Sequence, residues 1–546
     1  MQGARQGKQH PGAPRHKTFS TFPEETMHPH MPLTVGDKIA VNAYLYPNQT
    51  AFVYTDERGE KTLTYSEFMA RSRQLGSAWY KAGLRRQDRV SILAQNCMEY
   101  VEVYGAGELA GFITATVNWR LAAPEMEYII NDASPKVLVF EDIYTSIIEG
   151  IKPRLKGVEK FVCIGKAPAW AEEYEKVLAT GDDAGAPCRA QESDIAYLIY
   201  TSGTTGRPKG CILGQRETYN LGMSVAPTQH STPADRCLLM MPFFHIGAKC
   251  IQLAQHHCGG TVYMQRGFDP EAVLKSIADN KITITHMAPV MAQLLFESPN
   301  ILKYDVSSLH TLIYSAAPMP TPVLKKGLEL WGDVFMQMYG QTEGIITGLW
   351  HHQHKPDGTA QDIERLGSVG QQFSGVELRL VDDHGNEVPQ GQPGEVTYRT
   401  TAMCRGYWNN SVATIDLLRD GWCHSGDIGK LDKEGFLYLV DRKKDMIISG
   451  GENIYSREVE EAVVQHPAVS ECAVIGLPDE KWGEAVCAIV ILKKDQQLSE
   501  DDMIKHTQTL IASYKKPKKV VFVNDIPKLP SGKVNKVELR KVHGPK

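Results

Sequence analysis

The sequence predicts an α/β protein with a large N-terminal domain of mostly parallel strands and helices, a small β-barrel subdomain and a small C-terminal α+β domain. Short apolar strands alternate with amphipathic helices from Leu33 onward, which is typical of parallel sheets covered by helices. Between Gly375 and Thr400 the hydrophobic period falls to two, which indicates antiparallel strands. After Asp441 the pattern is that of a compact α+β tail of about a hundred residues, a normal domain size.

Length and composition exclude several classes of protein. The 546 residues are 42% hydrophobic, which is enough to bury more than one core. The net charge of −5 gives no electrostatic reason to expect a nucleic-acid partner. The 11 cysteines are scattered singly and favour a reducing compartment over a disulfide framework, so we expect a cytoplasmic protein. No stretch of about 18 apolar residues occurs, so no membrane span is expected.

The chain divides into three predicted regions. Residues 1–32 are rich in Pro, Gly and His, and we expect them to form a disordered leader. A transit peptide is the alternative, although the Arg-rich amphipathic pattern of such peptides is missing. Residues 33–440 are predicted to form the large domain and residues 441–546 the small one, with the charged run from Asp441 to Asp445 as the linker.

The first predicted elements alternate regularly. A helix over Val35–Tyr46 precedes a strand at Thr62–Tyr65, a helix over Ser66–Ala82 and a strand at Val90–Leu93. This order favours helices that cross between neighbouring parallel strands.

A glycine pattern in the next segment resembles a dinucleotide-binding fingerprint. Gly105, Gly107 and Gly111 have nearly the right spacing. They lie inside a helical pattern that starts at Met98, rather than in the turn between a strand and a helix that the fingerprint needs. We therefore interpret them as residues that allow helices to pack closely.

The stretch Thr201–Gly210 reads TSGTTGRPKG and is the strongest candidate for a phosphate-binding loop. It follows the apolar run Ile195–Tyr200, which is predicted to be a buried strand. Its glycines let backbone N–H groups approach an anion, and its hydroxyl groups and Lys209 add donors. It does not match the G-x-x-x-x-G-K-[ST] pattern of the usual P-loop, and a solvated surface turn is the alternative.

Two later segments carry candidate pocket residues. His245 lies among aromatic and small residues, where it is either a core histidine or a pocket residue. The helix predicted at Ala248–His257 should be apolar if it lines a substrate cavity, yet it carries Lys249. The strand Leu312–Tyr314 ends in small residues, among them Ala316, which leave room for a flat ring.

Polar residues follow two more predicted strands. In Tyr339–Glu343, Thr342 offers a hydroxyl group to phosphate and Glu343 offers a hard oxygen ligand for Mg²⁺. Asp427 lies in a glycine-containing turn and is suited to accept ribose hydroxyls; an ordinary Asx turn is the alternative. A histidine cluster lies between these segments, and we expect no metal there because the cluster sits in a loop-like stretch that contains Lys and Asp, whereas a metal site needs ligands on one face. Its members are His351, His352 and His354.

Together these segments resemble the AMP-forming adenylate synthetases, the superfamily of acyl-CoA synthetases, adenylation domains and luciferases. The resemblance runs from about Leu33 to Arg540, and Gly476–Glu484 is most similar to bacterial fatty-acyl-CoA synthetases. It implies stacked sheets in the large domain and a mobile C-terminal domain. The blocks that carry it are Thr201–Gly210, Tyr339–Glu343, Gly421–Asp427, Asp441–Asp445, Gly450–Glu460 and Pro530–Lys533.

The resemblance implies a reaction in two steps. A carboxylate attacks the α-phosphate of Mg-ATP, which gives an acyl-adenylate and pyrophosphate; the thiol of CoA then attacks the acyl carbon, and AMP leaves. The implied cofactors are ATP, Mg²⁺ and CoA, and the implied partner is a small carboxylic acid. A homodimer is left open.

The resemblance also implies a role for each matching residue. Lys533 would bridge the substrate carboxylate and the α-phosphate, Glu343 would bind Mg²⁺, and Asp441 would be the hinge. The implied catalytic residues are Lys533, His245, Thr342 and Glu343. The implied acyl-pocket residues are His245, Gly247 and Lys249. The implied nucleotide and CoA contacts are Thr201, Ser202, Gly203, Thr204, Thr205, Gly206, Lys209, Ala316, Ala317, Tyr339, Gly340, Thr342, Asp427, Arg442, Lys533, Gly450, Gly451 and Glu452.

Some residues depart from the pattern of the superfamily. Ser456 stands where proline is common, and Gly214-Gln215 replaces a usual Ser/Thr-His pair. Lys249 and Gln252 lie where fatty-acyl enzymes tend to be apolar. The hypothesis is an acid with a polar or anionic distal end, or a short or aromatic one. The alternative is that Lys249 points away from the pocket, since lysine stems often extend outward.

Three other functions stay open at this point. A stand-alone adenylation enzyme that loads a carrier protein would share the first step. A luciferase would share the fold and emit light. A non-enzymatic nucleotide- or acyl-binding relative would be expected to lack Lys533, Thr342 or Asp427, and all three are present.

Overall fold

The computed structural model describes residues 34–56, 59–201, 207–449, 452–528 and 533–544. The predicted leader and several predicted site residues lie outside the described residues, namely Ser202, Gly203, Thr204, Thr205, Gly206, Gly450 and Gly451. Within the described ranges, no helix is long and apolar enough to cross a membrane.

The helices of the described ranges follow one another along the chain as α1 (Val35–Leu45), α2 (Tyr65–Lys81), α3 (Met98–Ala110), α4 (Ala123–Ala133), α5 (Thr145–Ile151), α6 (Tyr174–Leu178), α7 (Gln215–Val225), α8 (Ile246–Cys258), α9 (Pro270–Asn280), α10 (Pro289–Phe296), α11 (Thr321–Trp331), α12 (Ala360–Arg365), α13 (Ser411–Leu417), α14 (Ser456–Val464), α15 (Glu500–Leu510) and α16 (Lys536–His543).

The strands of the first half are β1 (Thr50–Asp56), β2 (Gly59–Thr64), β3 (Arg89–Leu93), β4 (Ile113–Thr116), β5 (Val137–Glu141), β6 (Lys160–Ile164), β7 (Glu172–Glu173), β8 (Ile195–Thr201), β9 (Lys209–Gly214), β10 (Arg236–Leu239), β11 (Thr261–Gln265) and β12 (Ile284–Met287). Those of the second half are β13 (Thr311–Tyr314), β14 (Phe335–Gln341), β15 (Gly344–Leu349), β16 (Gln371–Gln372), β17 (Val376–Val381), β18 (Gly394–Thr400), β19 (Leu418–Arg419), β20 (Trp422–Leu431), β21 (Leu437–Arg442), β22 (Ile447–Ser449), β23 (Glu452–Ile454), β24 (Val469–Asp479), β25 (Gly483–Leu492) and β26 (Lys519–Phe522).

Two large sheets form the N-terminal part, and each is parallel in its interior. One has the strand order β16-β15-β14-β13-β12-β10-β11-β1-β2, the other β7-β6-β5-β3-β4-β8-β9. Antiparallel strands occur at the edges, where β2, β15, β16 and β9 pair with their neighbours. The predicted α/β class is confirmed, because helices connect the parallel strands on both sheets.

One hydrophobic cluster joins the two large sheets. It contains Phe52 of β1 and Met338 of β14 from the first sheet, and Val139 of β5 from the second. Trp79 of α2 and Ile251 of α8 belong to the same cluster. The two sheets are therefore stacked on a shared layer of helices.

Two smaller sheets follow. The predicted barrel subdomain is an antiparallel sheet of order β17-β18-β20-β19, with β21 paired to β20. The C-terminal part is a sheet of order β23-β22-β25-β24, with β26 paired to β25 in parallel, packed against α14. The predicted mixture of strands and helices in the tail is thus observed.

The glycines of α3 are packing residues, as predicted. A Cβ atom on Gly105 would lie 2.3 Å from Ser72 Oγ and 2.9 Å from Phe68 Cζ, both on α2. A Cβ atom on Gly107 would lie 2.8 Å from the carbonyl oxygen of Phe112. These distances are too short for any side chain, so the missing Cβ atoms allow α3 to pack directly on α2 and on the turn into β4.

We expect Gly105→Ala to destabilise the large domain by about 1–3 kcal/mol, because the added methyl overpacks the contact between α2 and α3. Gly150→Ala is the matched control, since Gly150 is an exposed helical glycine with no atom near its Cβ position. That change should instead stabilise α5 by up to about 1 kcal/mol. Calorimetric melting of both variants measures the difference, and equal shifts would contradict the packing role.

Candidate active site

The base of the predicted phosphate loop is a β-hairpin. Strands β8 and β9 are antiparallel, and Thr201 pairs with Lys209 across them. The Thr201 hydroxyl donates to the carbonyl oxygen of Lys209 over 3.5 Å. The Lys209 ammonium lies 4.8 Å from the centre of the Tyr407 ring. The described ends of the loop are therefore held together, with a cation beside them.

A second hairpin presents Thr342 and Glu343. Strands β14 and β15 meet at these two residues, and the register shifts between Tyr339 and Gly340. A Cβ atom on Gly340 would lie 2.6 Å from the carbonyl oxygen of Gly344, so only glycine fits this bulge. The tight turn places a hydroxyl group and a buried carboxylate side by side.

Tyr407 connects the two hairpins, and sequence analysis missed it. Its hydroxyl donates to Glu343 Oε1 over 2.5 Å, while its ring faces Lys209. Burial and the nearby Glu343 carboxylate raise the pKa of Tyr407, which keeps it a proton donor. Its role depends on a partner 64 positions away in the chain. A Gly-Tyr-Trp sequence carries no local signal for such a contact.

Asp427 is the most heavily hydrogen-bonded carboxylate of the site. It accepts from the Tyr339 hydroxyl at 2.7 Å, from Gln341 Nε2 at 2.9 Å and from Arg442 Nε at 2.8 Å. Asp427 lies inside β20, directly opposite Arg442 on β21, so the predicted glycine-containing turn at this residue was wrong, and so was the Asx turn. The ring of Tyr339, the proposed adenine contact, is thereby fixed by its own hydroxyl group.

Lys533 acts on His245 and is itself influenced by the charges around it. Lys533 is exposed as a residue, yet desolvation of its ammonium group lowers its pKa; Arg442 adds to this, while Asp427 and Glu343 oppose it. The pKa of His245 is lowered to about 4, first by burial and then by Lys533 and Arg120. His245 is therefore neutral near pH 7. The charges of Arg442, Asp427 and Glu343 therefore act on Lys533, and the charge of Lys533 acts on His245.

The predicted adenine-side residues form an open surface at the end of β13. Ala316 and Ala317 are both exposed. Ala316 has φ of 73°, the left-handed conformation that costs a residue with a side chain about 1–2 kcal/mol. Such strain persists where the surrounding structure imposes it, often at functional sites.

The predicted hinge residue makes its contacts to the C-terminal domain. The Asp441 carboxylate accepts from the backbone N–H of Ser456 and, at 3.1 Å, from its hydroxyl group. The Ser456 hydroxyl in turn accepts from Lys536 at 2.6 Å, and Lys536 pairs with Glu460 at 2.7 Å. Proline, common at position 456 in the superfamily, would lack both donors to Asp441.

Among the predicted CoA-side residues, only Glu452 is described. It begins β23 and is exposed, and no described contact joins it to Lys533 or Asp427. Its predicted role stays a prediction.

Lys249 is buried and its charge is paired. Its ammonium donates to Glu108 Oε1 at 2.6 Å and to Gln252 Oε1 at 2.7 Å, and it lies 4.2 Å from the centre of the Tyr104 ring. Gln252 continues to His256 Nδ1 at 3.0 Å. With 2% of its surface exposed, Lys249 does not extend into solvent, and its predicted place in the acyl pocket stays a prediction. We call these residues, Glu108, Lys249, Gln252 and His256, the α8 polar network.

The histidine cluster after β15 serves the core. His351 is hydrogen-bonded to the Thr311 hydroxyl at 3.1 Å, and His354 Nε2 to the Tyr314 hydroxyl at 2.9 Å. In the part of the chain that the structure describes, no group of three or more His, Cys, Asp or Glu side chains could hold a metal ion.

Comparison with known proteins gives the same assignment as the geometry. Residues 39–408 match the family model of the AMP-binding enzymes, and residues 458–533 match that of the AMP-binding enzyme C-terminal domain. The chain belongs to the AMP-binding enzyme family. The predicted resemblance to the adenylate-forming superfamily is confirmed.

Relatives of this AMP-binding enzyme match over nearly the whole chain. A feruloyl-CoA synthase from Amycolatopsis sp is 34% identical over 92% of this chain and 97% of its own. The long-chain-fatty-acid–CoA ligase FadD13 of Mycobacterium tuberculosis is 32% identical over 93% of this chain and 98% of its own. The solved anthranilate CoA ligase AuaEII, in complex with anthranoyl-AMP, has a TM-score of 0.84 at 27% identity, covering 94% of this chain and 98% of that one.

We expect Lys249→Met to lower the melting temperature by several degrees, because it leaves Glu108 buried without its partner, at a cost of about 3–5 kcal/mol. Glu108→Gln should do the same from the other side. The double variant should lose less than the sum of the two, since no uncompensated charge remains.

Calorimetry of the three variants measures this coupling. Lys275→Met is the matched control, because Lys275 pairs with Asp279 on the exposed face of α9 and should change stability by less than about 1 kcal/mol. Small and additive effects of the Lys249 and Glu108 changes would contradict a coupled buried pair.

Proposed function

We propose that this AMP-binding enzyme joins a carboxylic acid to CoA in two steps and that Lys533 acts in the first. The activity class is adenylate-forming acyl-CoA ligation, with ATP and CoA as substrates beside the acid. The observation that supports these residue roles most is the surroundings of Lys533, where Arg442, Asp427 and Glu343 all act on its ammonium group.

In the first step the acid carboxylate attacks the α-phosphate of ATP, and pyrophosphate leaves. Two anions must approach each other, so cations placed between and around them lower the barrier. We propose that Lys533 bridges the carboxylate and the α-phosphate, that Lys209 and its loop bind the outer phosphates, and that Asp427 binds the ribose. Burial lowers the pKa of Lys533, and a bound polyphosphate would raise it again, which favours the charged form when ATP is present.

Glu343 and Thr342 fit a place beside the polyphosphate. Glu343 is buried, and Tyr407 hydrogen-bonds one of its oxygens, so that the carboxylate is oriented at the turn. A carboxylate together with phosphate oxygens is the donor set that Mg²⁺ prefers, and the ion, when bound, would neutralise charge on the phosphates. Thr342 offers its hydroxyl group to the same anion.

In the second step the CoA thiol attacks the acyl carbon, AMP leaves and the thiol proton is released. His245 is neutral, so it adds no charge that would compete with Lys533 for the phosphate. We propose that Asp441 is the hinge at which the C-terminal domain rotates. After this rotation, Gly450, Gly451 and Glu452 would lie beside the CoA thiol.

The acid is proposed to be an aromatic or short one without a distal negative charge. The Lys249 charge is already compensated by Glu108, which leaves it a poor partner for a second carboxylate. A long alkyl chain would need an apolar lining from α8, but the α8 polar network places polar side chains on this helix. The relatives are named for an aromatic acid in one case and a fatty acid in the other. The α8 polar network favours an aromatic substrate for this enzyme.

The alternative within the family is an enzyme that transfers the acyl group to the thiol of a carrier protein instead of CoA. Formation of a thioester with free CoA, at the cost of ATP, distinguishes the two. A non-enzymatic relative would show no acid-dependent ATP–pyrophosphate exchange with any acid. The homodimer and the cytoplasmic location stay predictions.

We expect Lys533→Ala to slow acid-dependent ATP–pyrophosphate exchange by about 100-fold or more, because one charge-stabilising donor of the transition state is lost. Thioester formation from supplied acyl-AMP and CoA should stay close to that of the wild type. Lys528→Ala is the control, because this exposed lysine lies on the same loop and pairs with Glu471 at 3.0 Å.

Equal loss in both half-reactions would contradict a role of Lys533 in the first step alone. An acid panel that contains ferulate, benzoate, phenylacetate, octanoate, palmitate and succinate tests the activity itself. If the wild type exchanges pyrophosphate with none of them, the proposed function is wrong.

We expect Ser456→Pro to slow adenylation several-fold and to leave thioester formation unchanged or faster. Proline fits this first position of α14, and Tyr455 already has the extended backbone that precedes proline. The variant therefore removes the two hydrogen bonds to Asp441 that stabilise the orientation in which Lys533 reaches the site. Ser456→Ala keeps the N–H donor and should have a smaller effect. Equal slowing of both steps would contradict a role in domain orientation.

A further inference from the structure

His286 lies at the carboxyl end of a central strand of the first large sheet. It pairs with Leu239 on β10 and with Ile313 on β13, so the three side chains share one face of the sheet. Leu239 and Ile313 belong to the cluster that packs against Ile246 and Ile251 of α8. His286 therefore faces the first turns of α8 and not the outer helices.

The two ring nitrogens of His286 are treated differently by the protein. Nε2 is hydrogen-bonded to the Ser315 hydroxyl at 2.7 Å, whereas Nδ1 is buried without a partner among the described residues. Burial lowers the pKa of His286 to about 4, so the ring is neutral near pH 7. A neutral imidazole has one N–H donor and one acceptor nitrogen, and an unpaired buried one costs about 1–3 kcal/mol.

An unpaired nitrogen alone does not define a binding site, because His351 has one as well. The locations of the two histidines differ. His351 bonds to Thr311, at the amino end of β13, where the sheet carries none of the site residues described above. His286 bonds to Ser315, the residue directly before Ala316, at the carboxyl end of the same strand, where ligands of parallel sheets bind.

Gly247 brings His286 next to the proposed acyl pocket. A Cβ atom on Gly247 would lie 3.4 Å from His286 Cε1, the ring atom between the two nitrogens. Gly247 is two residues from His245, which responds to the charge of Lys533. Gly247 thus lies beside His286, and His286 bonds to Ser315, which precedes the predicted adenine-side residue Ala316.

We propose that His286 is a specificity-determining residue, whose Nδ1 hydrogen-bonds a hydroxyl group carried by the acid substrate. This inference rests on the proposed function and narrows the substrate class to hydroxylated acids, aromatic ones in particular. A hydroxyl group fits either tautomer of the ring, because the Ser315 hydroxyl also both donates and accepts. A second carboxylate does not fit, since the neutral ring offers it no charge and the lysine of the α8 polar network is already paired.

The test compares acids that differ by one group. Pairs such as 4-hydroxycinnamate with 4-methylcinnamate, and 3-hydroxybenzoate with 3-methylbenzoate, keep size and shape while removing the hydrogen bond. The measurement is kcat/KM for acid-dependent ATP–pyrophosphate exchange and for thioester formation. In the wild type we expect the hydroxylated member of at least one pair to be preferred by about 10- to 100-fold.

Two variants and a control separate recognition from folding. His286→Phe keeps a flat ring without nitrogens and should reduce that preference to within about threefold. His286→Asn places an amide near the position of Nδ1 and should retain most of the preference. His351→Phe removes a similarly buried histidine that bonds to the other end of β13, and its hydroxyl-to-methyl ratio should equal that of the wild type.

Each other outcome overturns the inference. If the wild type shows no preference in any pair, or if His286→Phe keeps the wild-type ratio, His286 does not bind the substrate hydroxyl. If His286→Phe slows both members of every pair equally, the residue is structural. If no acid at all supports pyrophosphate exchange in the wild type, the proposed function itself is wrong. If unsubstituted acids support exchange but the hydroxylated acids are not preferred, only the present inference is wrong.

Discussion

The carboxylate of Asp427 is the interaction on which the geometry of the site depends. It lies on β20 of the small antiparallel sheet and accepts hydrogen bonds from Tyr339 and Gln341 on β14 of the first large sheet. It also pairs with Arg442, one residue after Asp441, the proposed hinge. A single anion thus joins two sheets and the start of the C-terminal domain. In the proposed site, the same carboxylate would position the ring of Tyr339, contact the ribose and place a negative charge near Lys533.

Much of this site could be predicted from the sequence, because its parts are local. Thr342 and Glu343 stand in a turn between two strands, as the sequence indicates, and the order of six short blocks carries the resemblance that implies their roles. Asp427, which the sequence placed in a turn, lies inside β20. Tyr407, Gln341 and His286 could not be found in this way. Their roles come from partners on other strands, and a lone tyrosine, glutamine or histidine in an apolar segment looks like any core residue.

The fold was predictable in its class and not in its strand order. Alternation of strands and helices indicates parallel sheets, and the helical period around Gly105 correctly excluded a dinucleotide loop. That β8 and β10 belong to different sheets depends on which helix faces pack together, which no local pattern encodes. The charge pairing of Lys249 was equally hidden from local sequence patterns. Sequence shows a lysine in an apolar helix, but its partner Glu108 lies 141 positions earlier, on α3.

The contacts of Ser456 have a consequence for the timing of the reaction. Lys536 bonds to the Ser456 hydroxyl and follows Lys533 by three positions, while Ser456 holds Asp441. In the proposed mechanism, release of Lys533 from the phosphate and release of Asp441 would therefore be coupled. An acyl-adenylate is prone to hydrolysis in water. Such coupling would keep this mixed anhydride covered until the C-terminal domain has turned, so that little ATP would be spent without product.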